Sequence, residues 1–202
     1  KFDVETENCL RELDVDHPMS HVHPPKVQWD PHSAGDAVAV TTNTGVDILD
    51  WRADTSIPVG TVDHIPTKYT IDLDYNPNKP HVLGTACADG TAKFWDLRLG
   101  RRPILTLRGG HSHWMHSLSY NPFHDQLVLT TGSQASNLWR VSTISSAPLL
   151  ESRNVRISKH CMEAAYSSAW SASDAWIYGI VSYDGKVSVH HVPSKEKYKI
   201  LL

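Results

Sequence analysis

The 202-residue chain contains no run of 18 apolar residues, so none of its segments reads as a membrane-spanning helix. It lacks Cys-x-x-Cys and His-Glu-x-x-His, the usual frames for zinc. It also lacks Gly-x-Ser-x-Gly and any Gly-rich phosphate cradle, which argues against a serine nucleophile and a nucleotide site. Neither charge sign dominates: 19 Lys and Arg stand against 22 Asp and Glu, a net charge of −3. A nucleic-acid footprint wants a basic face, so none is expected. Arg98, Arg101, Arg102 and Arg108 do cluster, but around one turn, where solvation is the plainer expectation. Cys9, Cys87 and Cys161 are odd in number and far apart, which points to free thiols in a reducing, cytoplasmic setting. The opening Lys1-Phe2-Asp3-Val4-Glu5 has no apolar signal region, so no secretory leader is expected there. Together these absences predict a protein that is not an enzyme, holds no cofactor or metal and does not insert into membranes.

What the sequence has is punctuation. Between His64 and Arg98, three apolar runs are separated by Asn76-Pro77 and Asp89-Gly90. Asp-Gly predicts a tight two-residue hairpin, because both residues tolerate the positive φ of a type I′ turn. The third run ends on Trp95-Asp96, and Ile104–Leu107 adds a fourth strand. The unit recurs. Trp29-Asp30-Pro31, Tyr75-Asn76-Pro77, Tyr120-Asn121-Pro122 and Trp170-Ser171-Ala172 follow one another at spacings of 46, 45 and 50 residues. The hairpin column Asn43, Asp89, Ser133, Asp184 is followed six residues later by Leu49, Trp95, Trp139 and His190.

A period near 45 with four strands per unit is the signature of a propeller blade. The predicted fold is therefore all-β, a WD40-type β-propeller with about four blades visible. Residues 1–26 read as the end of a preceding blade and a linker. Residues 27–63, 64–109 and 110–150 read as blades. Residues 151–164 lack alternation and read as a loop insertion, and residues 165–202 read as the last blade. In that last stretch Tyr198–Leu202 is its outer strand or a closing strand. An open stack of four blades leaves two apolar faces wet, at roughly 25 cal/mol per Å². Part of a seven-bladed ring is the expected context, with a small four-bladed ring as the alternative.

In Trp-Asp blades a His, a hydroxyl, a hairpin Asp and the Trp form one buried hydrogen-bond chain. The candidates are His64, Cys87, Asp89 and Trp95 in one blade and His111, Thr131, Ser133 and Trp139 in the next. In the last blade they are His160, Ser182, Asp184 and His190. None is complete by residue type, and all are expected to be structural. His111, His113 and His116 resemble a ligand string, but on a strand 111 and 113 share one face and 116 takes the other. His17, His21 and His23 fare no better. Asp72 and Asp74 alternate on a strand and are expected to be solvated. Tyr69 and Trp114 occupy equivalent positions six residues before Tyr75 and Tyr120. With His113 they form the candidate partner-binding rim, the alternative for them being packing between blades.

Beyond the generic pattern, several strings resemble a more specific family. They are Leu73-Asp-Tyr-Asn-Pro-Asn78, Lys93-Phe-Trp-Asp96, His111-Ser-His-Trp114, His124-Asp-Gln-Leu127, Leu129-Thr-Thr-Gly-Ser133, Asp174-Ala-Trp176, Ser182-Tyr-Asp-Gly185 and Tyr198-Lys-Ile-Leu-Leu202. The family they resemble is that of the WD-repeat proteins interacting with the EARP and GARP vesicle-tethering complexes. The resemblance covers most of residues 64–202. It implies a longer parent, no catalysis, and a scaffold for protein binding in endosomal recycling and endosome-to-Golgi traffic. It further implies a cytoplasmic location, peripheral at the trans-Golgi network or endosomes. Residues 151–164 are short where the family often carries an acidic insertion, and Ser133-Gln134-Ala135 departs from its Ser-Asp hairpin. Another propeller adaptor, such as a histone-binding chaperone or a peptide-signal receptor, is the competing expectation.

Overall fold

The computed structural model describes residues 2–3, 8–9, 25–42, 45–50, 61–65, 67, 69–99, 102–146, 155–160 and 164–201. A short ribbon pairs β1 (Phe2–Asp3) with β2 (Asn8–Cys9). The first four-stranded sheet is β3 (Val27–Trp29), β4 (Ala37–Thr41), β5 (Val46–Asp50) and β6 (Thr61–Ile65). The second is β7 (Thr70–Tyr75), β8 (Val82–Cys87), β9 (Ala92–Asp96) and β10 (Leu105–Leu107). The third is β11 (Met115–Tyr120), β12 (Leu127–Gly132), β13 (Ser136–Arg140) and β14 (Val155–His160). The last has three strands, β15 (Ala165–Trp170), β16 (Ile177–Ser182) and β17 (Val187–His191), followed by helix α1 (Ser194–Leu201). Each of these four larger sheets is an antiparallel meander in sequence order, the blade of a β-propeller.

Alternation along each strand sends one face to the preceding blade and one to the next. Leu83 and Trp95 pack with Ala39, Ile48 and Ile65 of the first sheet, whereas Val82 and Phe94 pack with Met115, Leu118 and Trp139 of the third. Leu127, Leu129 and Leu138 then close on Ala165, Tyr178 and Ile180. β8 and β12 are consequently buried on both faces. Among the described residues the two end blades have no such cover: Val27 and Trp29 are exposed on β3, and Val187 and Val189 are each 68% exposed on β17. In a closed propeller faces of this kind are covered by the neighbouring blades.

The turn between the first two strands is the same device in all four blades. Asp30 accepts the amide of His32. Asn76 Oδ1 accepts the amides of Asn78 and Lys79, and Asn121 Oδ1 those of Phe123 and His124. Ser171 Oγ does the same for Ser173 and Asp174. These are side-chain-capped turns, which is why the column holds only Asp, Asn or Ser. In the two Asn copies the amide Nδ2 is left to bridge blades, from Asn76 to Asp125 at 3.1 Å and from Asn121 to the Ala175 carbonyl at 2.6 Å.

Four expectations need correction. Residues 151–164 are not a bare loop insertion, because β14 lies within them and pairs along β13 as the outer strand. An outer strand packs less than its neighbours, so its sequence carries little alternation. The terminal Tyr198-Lys-Ile-Leu is helical rather than an outer or closing strand. Pro193 and Ser194 start α1, with the Pro193 carbonyl accepting from Glu196 and Lys197. The Asp89-Gly90 hairpin is not type I′: Gly90 has φ +75 but Asp89 does not enter the left-handed region. The Gly90 amide bonds the Cys87 carbonyl, and the Cys87 amide the Thr91 carbonyl, giving a turn that ends in a left-handed glycine. Gly185 (φ +78) repeats it. The strand β6 runs two residues past residue 63, so His64 sits in the first sheet. The candidates Asn43, His17, His21, His23, Cys161 and Arg101 lie outside the described residues.

Candidate functional site

The innermost strands β3, β7, β11 and β15 converge, and their starts and the second hairpins share one rim. The equivalence of that rim is visible in its hydrogen bonds. The carbonyls of Tyr69, Trp114 and Ala164 accept from the amides of Ala88, Ser133 and Tyr183, at 2.9, 3.2 and 2.9 Å. The same three strands each carry a bulge, at Ile71, His116 and Tyr166. Such a bulge re-aims one side chain at the rim. Tyr69 stands here 58% exposed with φ +57, a conformation disfavoured for a bulky residue. Trp114 is partly buried, its ring 5.6 Å from that of the exposed His113.

The Trp-centred chain uses different hydroxyls from those expected. Trp139 Nε1 donates to Thr130 Oγ1 at 2.8 Å, and His111 Nε2 lies 2.8 Å from the same oxygen. Thr131, the expected partner, points to the opposite face and meets Ser117 Oγ at 3.0 Å. Trp95 Nε1 likewise donates to Thr85 Oγ1 at 3.0 Å. Cys87 is a buried free thiol 3.4 Å from Thr67 Oγ1. The hairpin residues do not join these chains. Asp89 takes the Thr91 amide at 2.9 Å and its hydroxyl at 2.5 Å. Asp184 takes the Lys186 ammonium and the Ser182 hydroxyl, which hold its carboxyl down to about 2. Ser133 Oγ reaches His116 Nε2 at 3.3 Å. A short side chain at a hairpin is satisfied locally before it can reach a distant imidazole. His190, where an indole would stand, stacks on Tyr178 at 5.5 Å and bonds Ser188.

His111, His113 and His116 do not converge, since the strand begins only at Met115. His111 turns to Thr130, His113 to solvent and His116 to Ser133 and Tyr183. Among the described residues no three His, Cys, Asp or Glu are grouped to hold a metal. Arg98, one of the turn arginines, is not merely solvated. Its guanidinium grips both oxygens of Asp96, at 3.0 and 2.8 Å, and this bonding holds the Asp96 carboxyl down to about 2.

The unexpected feature is Asp72 and Asp74. They are half-buried rather than freely solvated. Each sends Oδ2 across the blade boundary, Asp72 to the Leu118 amide at 3.0 Å and Asp74 to the Tyr120 amide at 2.8 Å. Desolvation raises their carboxyls to about 6 and about 7, against the amide bonds that favour ionisation. They line a groove of about 410 Å³ on the channel wall with His116, Ser117, Ser168, Tyr166, Tyr183 and others. The only sequence sign of this was two acidic residues on an innermost strand.

A sequence profile of the family described as EIPR1 beta-propeller matches residues 15–139. Over 193 residues the chain is 33% identical to EARP-interacting protein 1 of Caenorhabditis elegans, covering 86% of this chain and 52% of that protein. It is 30% identical over 201 residues to EARP and GARP complex-interacting protein 1 of Homo sapiens, covering 87% and 51%. It is 29% identical over 175 residues to WD repeat-containing protein DWA2 of Arabidopsis thaliana, covering 81% and 48%. The chain thus spans about half the length of the curated relatives it matches. With the blade meander, the capped turns and the profile match in agreement, the chain belongs to the EIPR1 beta-propeller family.

Proposed function

We propose that the chain is part of a non-catalytic WD-repeat scaffold that binds a vesicle-tethering complex of the EARP or GARP type. Its place is then endosomal recycling and endosome-to-Golgi traffic, from the cytoplasm, peripheral at endosomes or the trans-Golgi network. The names of the relatives support the partner. The observation that carries the reading in this molecule is the rim. Two large aromatics, Tyr69 and Trp114, stand at equivalent positions on adjacent blades, the first exposed and the second partly buried, with His113 beside Trp114. Rigid aromatics of this kind are common anchors of protein interfaces.

The test is a pull-down of the tagged full-length parent from its own cells, with mass spectrometry of what is bound. Tethering subunits in stoichiometric amounts, lost or reduced at least tenfold in a Tyr69→Ala, Trp114→Ala variant that remains folded, support the reading. Histones or peptide-signal cargo in their place refute it.

A further inference from the structure

We propose that the channel-wall groove between β7, β11 and β15 binds the guanidinium of an arginine side chain presented by a partner protein. The first ground is charge. Asp72 and Asp74 lie two apart on β7, so both face the groove, roughly 7 Å apart. Each has one oxygen held by a backbone amide of the next blade, and no cation of the described residues pairs with either. Lys26, at the groove's edge, acts on Asp72 only beyond ion-pair distance. Two desolvated carboxylates without a cation are costly to keep, and a cation between them removes that cost.

The second ground is independent of the first. Tyr166 and Tyr183 are 59% and 60% exposed in the same groove, edge to face at 5.3 Å, with His116 against Tyr183 at 5.9 Å. Solvent-exposed rings beside carboxylates suit a flat cation that stacks and donates at once. Guanidinium does both, with five donors in a fixed fork, whereas an ammonium offers a point charge. The bulges at His116 and Tyr166 place these side chains at the rim, where a partner's segment can enter. The inference does not depend on which protein supplies the arginine.

The experiment is saturation-transfer NMR on the full-length protein with the blocked peptide acetyl-Gly-Arg-Gly-amide, beside its lysine and citrulline counterparts. Expected is saturation of the arginine side-chain methylenes, none for citrulline, and at least about tenfold weaker binding for lysine or for a Asp72→Asn, Asp74→Asn variant. Asparagine keeps an oxygen for the amides of Leu118 and Tyr120. If that variant does not fold, Tyr183→Ala, at an exposed position, carries the test with an expected loss of about threefold or more. No arginine signal, equal binding of citrulline or lysine, or unchanged binding by the folded variants overturns the proposal. Arginine binding with no tethering subunits in the pull-down refutes the tethering reading alone, and the reverse result refutes this one alone.

Discussion

Replacing Thr130 by Val tests the heart of the third blade. The side chain is fully buried, and Val matches its shape, so no cavity opens. What goes is one hydroxyl between two rings. Asn137 Nδ2 also faces His111 Nε2, at 3.0 Å, so that nitrogen acts as an acceptor. Thr130 therefore accepts from the Trp139 indole and donates to His111. Without it the buried indole N–H has no partner, at roughly 1–3 kcal/mol. His111 is only half-buried and can turn to water, so it adds little. In a chain of about 200 residues each kcal/mol moves the melting temperature by about 2–4 °C, which gives a drop on the order of 2–12 °C. Thr131→Val is the matched control. It removes only a hydroxyl pair with Ser117, which also reaches Ser168 Oγ at 3.3 Å, and is expected to cost less than about 1 kcal/mol. Thermal unfolding of both variants in the full-length protein decides the matter. Equal melting temperatures, or a larger loss for Thr131→Val, would refute the assignment of the hydroxyl to position 130.

Further outcomes follow from the same contacts. Asp72 and Asp74 titrate near 6 and 7 in the fold, above about 3.9 for an unfolded carboxyl. Between those values the folded chain holds more protons, so their contribution is full below about pH 4 and is lost as pH rises through 6 to 7. Urea midpoints should accordingly fall from pH 5 to pH 8, and Asp74→Asn should flatten the fall; a wild-type slope unchanged by the substitution contradicts it. Gly110→Ala would drive a Cβ into the Trp139 ring, and a loss of roughly 1–3 kcal/mol in chemical denaturation is expected. Asp89→Ala removes a half-exposed turn cap rather than a buried link, so its cost should stay near 1 kcal/mol, and a loss above 3 would restore the imidazole-linked network.

Much of the fold was legible because it repeats. The turn column Asp30, Asn76, Asn121, Ser171 is written in residues that cap their own turn, and the spacing between copies is the blade. The errors came where one sequence feature serves two geometries. Thr130 and Thr131 are adjacent hydroxyls on opposite faces, and only the pairing of Val128 with Trp139 tells which face carries the indole. The same rule places Thr85 with Trp95 through Leu83. Alternation, applied to strand pairing instead of to single strands, contained that answer. Tyr198-Lys-Ile-Leu has the composition of a strand, yet Pro193-Ser194 with Glu196 in the first turn is a helix start.

Asp72 and Asp74 were legible to no such rule, because their partners are backbone amides 46 residues away, whatever side chains those residues carry. Their place in the fold does not demand acid. One blade on, the position of Asp72 is held by Ser117, which meets Ser168, and that of Asp74 by Ser119, whose carbonyl takes the Trp170 indole. Neutral groups therefore suffice to join innermost strands. A carboxylate pair at one blade boundary is more than joining requires, and the surplus is negative charge facing the channel. That charge destabilises the isolated fold at neutral pH and is relieved by a bound cation, so the position whose titration reports on stability is also the one expected to report on a partner's arginine.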